Sequence, residues 1–479
     1  MDKFAINKYR KYFKIINAFV FVFCIFNFKI DGDFNFIISE TLFVIYINLI
    51  FLVLSSSIFN YLYEPPVFFL IFAFIYEFLK FPFYFGFSSP ENFVSFSGLL
   101  NSKHRVADYY GSAALMLIYE IICIATLLIA YLLVRKNIKK IDFNLPIYKF
   151  KNAGSIIFVV ILLGTFSALY LYKVTGGNFL YLLSRRSGNS DALKLLKDNF
   201  LLSLFSNLIL VLIPLYLSTK LLDGSKNWKR VLWLYLPAII LSFLITGARG
   251  FTIYSIGTTL ILIFSFKKIP IRVFLPFIPL LFIVFAVLGL LRRSSNTSKG
   301  NFSDNIQEQK TMNDSWYYEL ASYQLQLRDE LVFSNLQSSD LLFGESYLNL
   351  VFFPIPHDWI GDNKPQFIDA YVAETFWGRT DIGLPLNSMT ESYFNFRYFG
   401  ILIFIIMGAI MASITNSLTR VGNLMRQSLV IILLVYAQTW STTELVYIFQ
   451  FLVFIVPLML LITEKKYTKK NKYSVSWEN

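Results

Sequence analysis

The sequence predicts an all-α fold: a polytopic transmembrane helix bundle of about twelve spans, with one long external loop in its second half. Three observations carry this reading. Of 479 residues, 56% are hydrophobic and 15% charged, and mean hydropathy is +0.57, too apolar for one water-soluble core. The apolar residues gather into runs long enough to cross a bilayer as helices, which satisfy each backbone polar group within their own segment. Strands of a lipid-facing barrel would alternate polar and apolar, and these runs do not. Finally, short basic segments fall on one side of successive hairpins, as the positive-inside rule requires.

The spans follow in order. Phe13 to Phe28 and Ile37 to Ile58 form a first pair, then come Val67 to Phe85, Tyr109 to Val134 and Gly154 to Tyr172. Phe200 to Leu221, Val231 to Thr246, Phe251 to Phe266 and Val273 to Leu291 complete the first nine, so residues 1–291 are the main helical body. Residues 292–397 form the long external loop. Residues 398–479 hold Tyr398 to Leu418, Leu429 to Ser441 and Glu444 to Ile462, followed by a basic tail. The first run carries Lys29 and Asp31 after it and no small-residue cleavage site, so it reads as a retained span. No repeat of fixed period is present.

Lys3 to Lys14, Arg135 to Lys151, Lys220 to Arg230, Lys267 to Arg272, Arg420 to Arg426 and Lys465 to Lys472 share one side, which places both termini in the cytoplasm. The net charge of +13 lies mostly in these clusters. Membrane lipid headgroups are their natural counter-charge, and no nucleic acid is needed to explain them. Cys24 and Cys123 fall within spans and read as small apolar packing residues, with no disulfide framework or metal-binding spacing.

The side opposite the basic clusters receives Lys29 to Asn35, Gly86 to Asp108, Lys173 to Asn199, the turn Ile245-Thr-Gly-Ala-Arg-Gly-Phe251 and the long loop from Arg292 to Arg397. In that loop Trp316, Leu320, Tyr323, Leu327 and Leu331 recur at helical spacing, with Gln326, Arg328 and Glu330 off the stripe. A helix lying on the membrane surface and a helix capping the bundle both fit. Phe353-Pro-Ile-Pro356 and the scattered Gly and Pro up to Pro385 predict an irregular, site-forming stretch.

Cations collect on this outer side: Arg185 and Arg186, Arg249, Arg292 and Arg293, Lys364, Arg379 and Arg397. A guanidinium offers phosphate two parallel hydrogen bonds and keeps its proton, so the outer-leaflet anion it suits is a lipid phosphate. Each has a plainer reading too. Arg292 and Arg293 can snorkel at a helix end, and so can Arg185 and Arg186, although two guanidinium groups near Gly176 and Gly177 call for an anionic partner. Arg249 differs, because Gly247 and Gly250 let the backbone turn sharply and set the side chain at the mouth of the bundle.

An outward Thr-Gly-Ala-Arg-Gly turn, then Gly344-Glu-Ser-Tyr347, Phe353-Pro-Ile-Pro-His-Asp-Trp359, Lys364-Pro365 and Thr390-Glu-Ser-Tyr-Phe-Asn395 opening the next span, together resemble the bacterial oligosaccharide repeat-unit polymerases, the O-antigen or capsule polymerases of the Wzy type. The second half of the chain carries the likeness in motifs, the first half in hydropathy alone. Two departures stand out. Members often have a basic residue where this chain has His357, and a glycine where it has Arg397.

The resemblance implies a GT-C-like fold in the bacterial inner membrane, with an active cavity opening outward. It implies transfer of a growing glycan from undecaprenyl diphosphate to a hydroxyl of the next lipid-linked repeat unit, with no cofactor and no metal. Its implied partners are the undecaprenyl-diphosphate-linked oligosaccharide, membrane lipids, and a chain-length regulator and flippase of the same pathway. Arg249 is then expected to stabilise the leaving diphosphate, with Arg185, Arg186, Arg292 or Arg293 as helpers. Lys364, Arg397 and Tyr393 line the expected substrate side.

The acceptor hydroxyl needs a positioned base, and Glu391 is the first candidate because it stands just before the tenth span; His357, Glu345, Asp381 and Glu374 stay open. His104, between Lys103 and Arg105, reads as surface. Within spans, Glu77 and Lys80 are spaced to neutralise one another, and Glu120 has no local partner. Three rivals remain. A ligase moving finished polymer to lipid A shares the hairpin arginine and the loop. A flippase or transporter of the lipid-linked glycan would show two similar halves. A metal-dependent transferase would use Asp31-Gly32-Asp33, which by default is a turn.

Overall fold

The computed structural model describes residues 6–29, 32–60, 64–87, 109–136, 148–150, 153–174, 328–336, 340–352, 365–377, 386–419 and 463–465, with 216, 217, 220, 233 and 259 as single positions. The described chain is predominantly helical: α1 (Asn7–Asn27), α2 (Phe34–Ser55), α3 (Pro65–Phe78), α4 (Phe81–Tyr84), α5 (Tyr109–Val134), α6 (Ala153–Val174), α7 (Arg328–Asn335), α8 (Glu345–Phe352), α9 (Ile368–Trp377), α10 (Ser388–Phe396) and α11 (Ile401–Thr419). Among the described residues, Phe34–Ser55, Tyr109–Val134 and the run Ser388–Asn416 are long and apolar enough to cross a membrane. Spans six to nine, eleven and twelve lie outside the described residues, apart from those single positions.

The expected first, second, fourth and fifth spans fall on helices α1, α2, α5 and α6; α1 starts earlier than expected, at Asn7 instead of Phe13, and the others lie within a few residues of the expected bounds. The third needs correction. Val67 to Phe85 reads as one apolar helix, yet α3 ends at Phe78, Lys80 turns out of helical geometry at φ −87 and ψ 4, and α4 restarts at Phe81. Pro82 is the cause, since it has no backbone N–H to bond to Phe78 and its ring crowds that carbonyl. Helix α3 itself starts on Pro65 and Pro66, where the missing N–H groups have no helical partner to lose.

The tenth span also starts earlier than expected. Asn387 caps α10, its side chain accepting from the Thr390 backbone N–H at 2.7 Å. After α10 a short 3₁₀ turn, Arg397–Gly400, leads into α11. The all-α expectation meets one small exception: Tyr148–Phe150 pairs antiparallel with Thr463–Lys465, Lys149 opposite Glu464. The two short segments satisfy each other's backbone groups this way.

Hydrogen bonds at the helix ends fix relative direction. At one end the Lys29 backbone N–H donates to Glu40 of α2 and Lys29 Nζ to Gly86 O after α4. At the other end Arg10 Nη2 donates to Phe59 O, Arg135 Nη2 to Glu64 Oε1 at 3.1 Å, and the Lys136 backbone N–H to Asn416 Oδ1. Thus α1 and α3 run one way and α2, α5 and α11 the other. Helices α5 and α11 lie very close, because a Cβ on Gly408 would stand 2.3 Å from Leu127 O. The inner faces bury Phe43, Tyr46, Leu70, Met116, Leu127 and Phe404, while Leu115, Ile118, Ile122, Ile129 and Leu133 form an exposed stripe along α5. An apolar stripe of that length on an outer face suits a bilayer.

Candidate functional site: a buried polar centre where loop helices meet the bundle

Lys80 stands at the α3–α4 break with its side chain wholly buried. A buried ammonium is tolerated only when paired and hydrogen-bonded. Its Nζ lies 2.9 Å from Glu77 Oε1 and 2.8 Å from Glu330 Oε1, with Asp329 Oδ2 at 3.9 Å. It also sits 4.8 Å from the Tyr76 ring centroid. The expected Glu77–Lys80 pair is therefore present, and it is part of a larger group.

Glu330 and Asp329 come from α7, in the expected external loop. The sequence stripe assigned Glu330 to a polar outer face; the structure corrects this, because both carboxylates are fully buried. Helix α7 packs on α5 and α10, so it caps the bundle instead of lying on the surface, and it brings its charges to Lys80. Tyr76 Oη donates to Asp329 Oδ2 at 2.5 Å, and the Asn387 backbone N–H donates to Asp329 Oδ1 at 3.2 Å. Tyr84 Oη donates to Glu77 Oε2 at 3.2 Å. Glu120, with no local partner in its own span, accepts at Oε1 from Asn387 Nδ2 at 2.7 Å.

The centre thus gathers Glu77, Glu120, Asp329 and Glu330 around one ammonium, all at most 1% exposed. Outside the spans, burial pushes the Glu330 carboxyl up to about 7; Lys80 opposes that rise, and Glu77 and Asp329 add to it. Glu77 Oε1 and Glu330 Oε1 share Lys80 Nζ as donor, and among the described residues no three His, Cys, Asp or Glu side chains converge as metal ligands.

Next to this centre lies the Glu391 constellation. Glu391 is fully buried on α10, and its Oε1 accepts from Ser346 Oγ at 2.9 Å. Asn395 Nδ2 donates to Ser346 Oγ at 2.8 Å and to Glu391 O at 2.9 Å, while Asn395 Oδ1 accepts from the Gly344 backbone N–H at 3.0 Å. The chain Asn395, Ser346, Glu391 orients a carboxylate through two further groups, the arrangement a base requires. Burial, and the Glu391 charge after it, push the Tyr347 phenol well up from its ordinary value. The motifs Gly344–Tyr347 and Thr390–Asn395, 43 or more residues apart in sequence, are one site in space.

Tyr393 packs in an aromatic cluster, stacked on Phe333 with centroids 3.9 Å apart and edge-on to Tyr119 at 5.3 Å. Arg397 adopts φ +50, a backbone conformation that favours glycine. Its Nη2 donates to Leu336 O at 3.1 Å, tying the end of α7 to the start of the tenth span. Glu374 is exposed on α9 and accepts from Gln366 Nε2; Glu345 is exposed at the start of α8. Cys24 and Cys123 are buried free thiols.

Arg249, Arg185, Arg186, Arg292, Arg293, His357, Lys364, Arg379 and Asp381 lie outside the described residues, as do His104 and Asp31. The contributors that sequence reasoning missed are Asp329, Glu330, Asn387, Ser346, Tyr46 and Tyr76. Adjacent acids beside an apolar stripe gave the only signal. The contact from Lys80 to Glu330 spans 250 residues and has no local trace. A scan of family models, a search of curated proteins and a search of solved structures found no match to this chain.

Proposed function

We propose that this chain polymerises undecaprenyl-diphosphate-linked oligosaccharide repeat units into O-antigen or capsular polysaccharide at the outer leaflet of the bacterial inner membrane. The observation that carries the reading is the convergence of Gly344–Tyr347 with Thr390–Asn395 around Glu391, at the bundle end remote from Arg135. Those are two of the motifs on which the resemblance rests, and they lie on the side the basic clusters mark as external. The relative directions of α1, α2, α3, α5 and α11 fit the alternation that this topology requires of them. The strand pair supports it too, because Lys149 and Glu464 adjoin basic segments assigned to one face.

In this reading a hydroxyl of the incoming repeat unit attacks the anomeric carbon of the growing glycan. The new C–O bond forms as the bond from that carbon to the diphosphate oxygen breaks. Glu391 takes the hydroxyl proton, oriented by Ser346 and Asn395, and Arg249 stabilises the departing diphosphate with help from Arg185, Arg186, Arg292 or Arg293. Tyr393, Arg397 and Lys364 shape the glycan side, and His357 is the second base candidate.

Reconstitution of the purified chain with a defined lipid-linked repeat unit tests the proposal: a ladder of products is expected. Transfer only to a second glycan-lipid acceptor would make it a ligase, and transmembrane movement with no new glycosidic bond would make it a flippase. Arg249→Ala should abolish the ladder while the protein still inserts, and Arg249→Lys should recover little, because a point charge lacks the fork. An undiminished ladder from Arg249→Ala removes the hairpin from the mechanism.

A further inference from the structure

The buried centre around Lys80 has an imbalance that its hydrogen bonds resolve. Two carboxylates have a donor on each oxygen: Glu77 receives Lys80 and Tyr84, and Asp329 receives Tyr76 and the Asn387 N–H. Each of these two is fully hydrogen-bonded. The other two are half-satisfied. Glu120 Oε1 receives Asn387 Nδ2 and Glu330 Oε1 receives Lys80 Nζ, while Glu120 Oε2 and Glu330 Oε2 have no partner among the described residues. Tyr46 Oη, wholly buried on α2, also has none. It lies beside Glu120, within range of electrostatic interaction.

A bare carboxylate oxygen in a dry interior is far more costly than a carboxylic acid. Against four acids the described residues of the centre offer a single ammonium, so full ionisation would leave three negative charges uncompensated among them. A proton on Glu120 Oε2 turns that atom into a donor and Tyr46 Oη into its natural acceptor, which removes two orphans with one bond. A second proton on Glu330 Oε2 leaves one ammonium facing two carboxylates that have a donor on each oxygen.

We propose that Glu120 and Glu330 form a two-proton binding site, and that losing these protons releases α7 from α3, α4 and α5, so that the docking of the external loop follows external pH. The groups facing the two acids are Tyr46 from α2, Tyr76, Glu77, Lys80 and Tyr84 from α3, the break and α4, Cys123 from α5 and Asp329 from α7. Asn387 at the cap of α10 is their uncharged neighbour. Only Lys80 is cationic among them, so each proton lost adds unbalanced negative charge. The sign follows from Glu330, whose carboxyl rises from the ordinary 4.5 to about 7. Its contribution to the docked state is complete below pH 4.5 and is lost as pH climbs through about 7.

The test uses the full chain in lipid nanodiscs and does not depend on polymerase activity. Amide hydrogen exchange of residues 328–336, corrected for intrinsic rates, is followed from acid to alkaline pH, alongside infrared difference spectra of protonated carboxyl groups. Wild type should lose protection by about tenfold or more as the carboxyl band disappears. The double variant Glu120→Gln, Glu330→Gln copies the protonated shape and should fold, keep protection at all pH values and lack the band. Asp329→Asn replaces a fully donated carboxylate and should lose protection even in acid. The proposal is overturned if wild-type protection ignores pH, if the band change survives in the double variant, or if that variant is as damaged as Asp329→Asn. Restoration of protection at alkaline pH by sodium ions would assign the bare oxygens to a metal cation and overturn it as well.

Discussion

Replacing Lys80 by methionine keeps the stem of the side chain and deletes its charge, leaving Glu77, Asp329, Glu330 and Glu120 without a counter-ion in a dry interior. At an effective dielectric of about 20, each contact near 2.9 Å is worth roughly 6 kcal/mol of attraction before desolvation. Burying the groups cancels most of that. Removing one partner of a buried ion pair costs about 3–5 kcal/mol net, a factor of about 10² to several 10³ in the folded population. Two direct partners place Lys80→Met at the upper end. The loss is partly recoverable, because an acid unable to find a cation can take a proton. The variant should therefore melt well below wild type at pH 8, and the gap should narrow at pH 5. The assay is the fraction of monodisperse protein surviving a heating series in detergent, measured at both pH values. Glu77→Gln, Glu330→Gln in the same background removes the stranded charges and should restore much of the stability. If Lys80→Met melts like wild type at both pH values, the Lys80 centre does not stabilise the bundle.

Three other outcomes are expected. Arg397→Gly relieves a strained backbone worth about 1–3 kcal/mol but loses the bond to Leu336 O, so it should be near neutral; Arg397→Ala keeps the strain, loses the bond and should melt earlier, and equal melting of the two would discredit the φ +50 assignment. Gly408→Val forces α5 and α11 apart at Leu127 and Ala130 and should destabilise by about 1–3 kcal/mol, read as a lower melting temperature, whereas an unshifted one would mean the helices are not in contact there. Under the proposed function, Glu391→Gln should lower product-ladder turnover by about 10²–10⁴-fold with little change in folding; full activity would pass the base role to another residue.

The glycine that members of the resembled family often carry after the Asn-Phe pair has a physical reading here. The position needs positive φ, and this chain meets the need with Arg397, strained in backbone but anchored through its guanidinium to α7. Sequence could show the departure and not its compensation. Similarly, Glu391 was legible as a candidate, yet Ser346, which donates to its carboxylate, lies 45 positions away and becomes adjacent only when α8 packs beside α10.

The sequence alone determined the class, because transfer of apolar runs to a bilayer is a local sum over about twenty residues. For the same reason it located α2, α5, α6 and α11 within a few residues and α1 with a late start, and it paired Glu77 with Lys80 at one helical turn. Tertiary structure decided the rest. The break at Leu79–Lys80, the burial of Asp329 and Glu330, and the seat of Glu120 against Asn387 join residues up to 267 positions apart. No local pattern encodes such a meeting, since a charge beside an apolar stripe has the same sequence signature in water as in a core. What distinguishes them is the partner, and only the packed bundle supplies it.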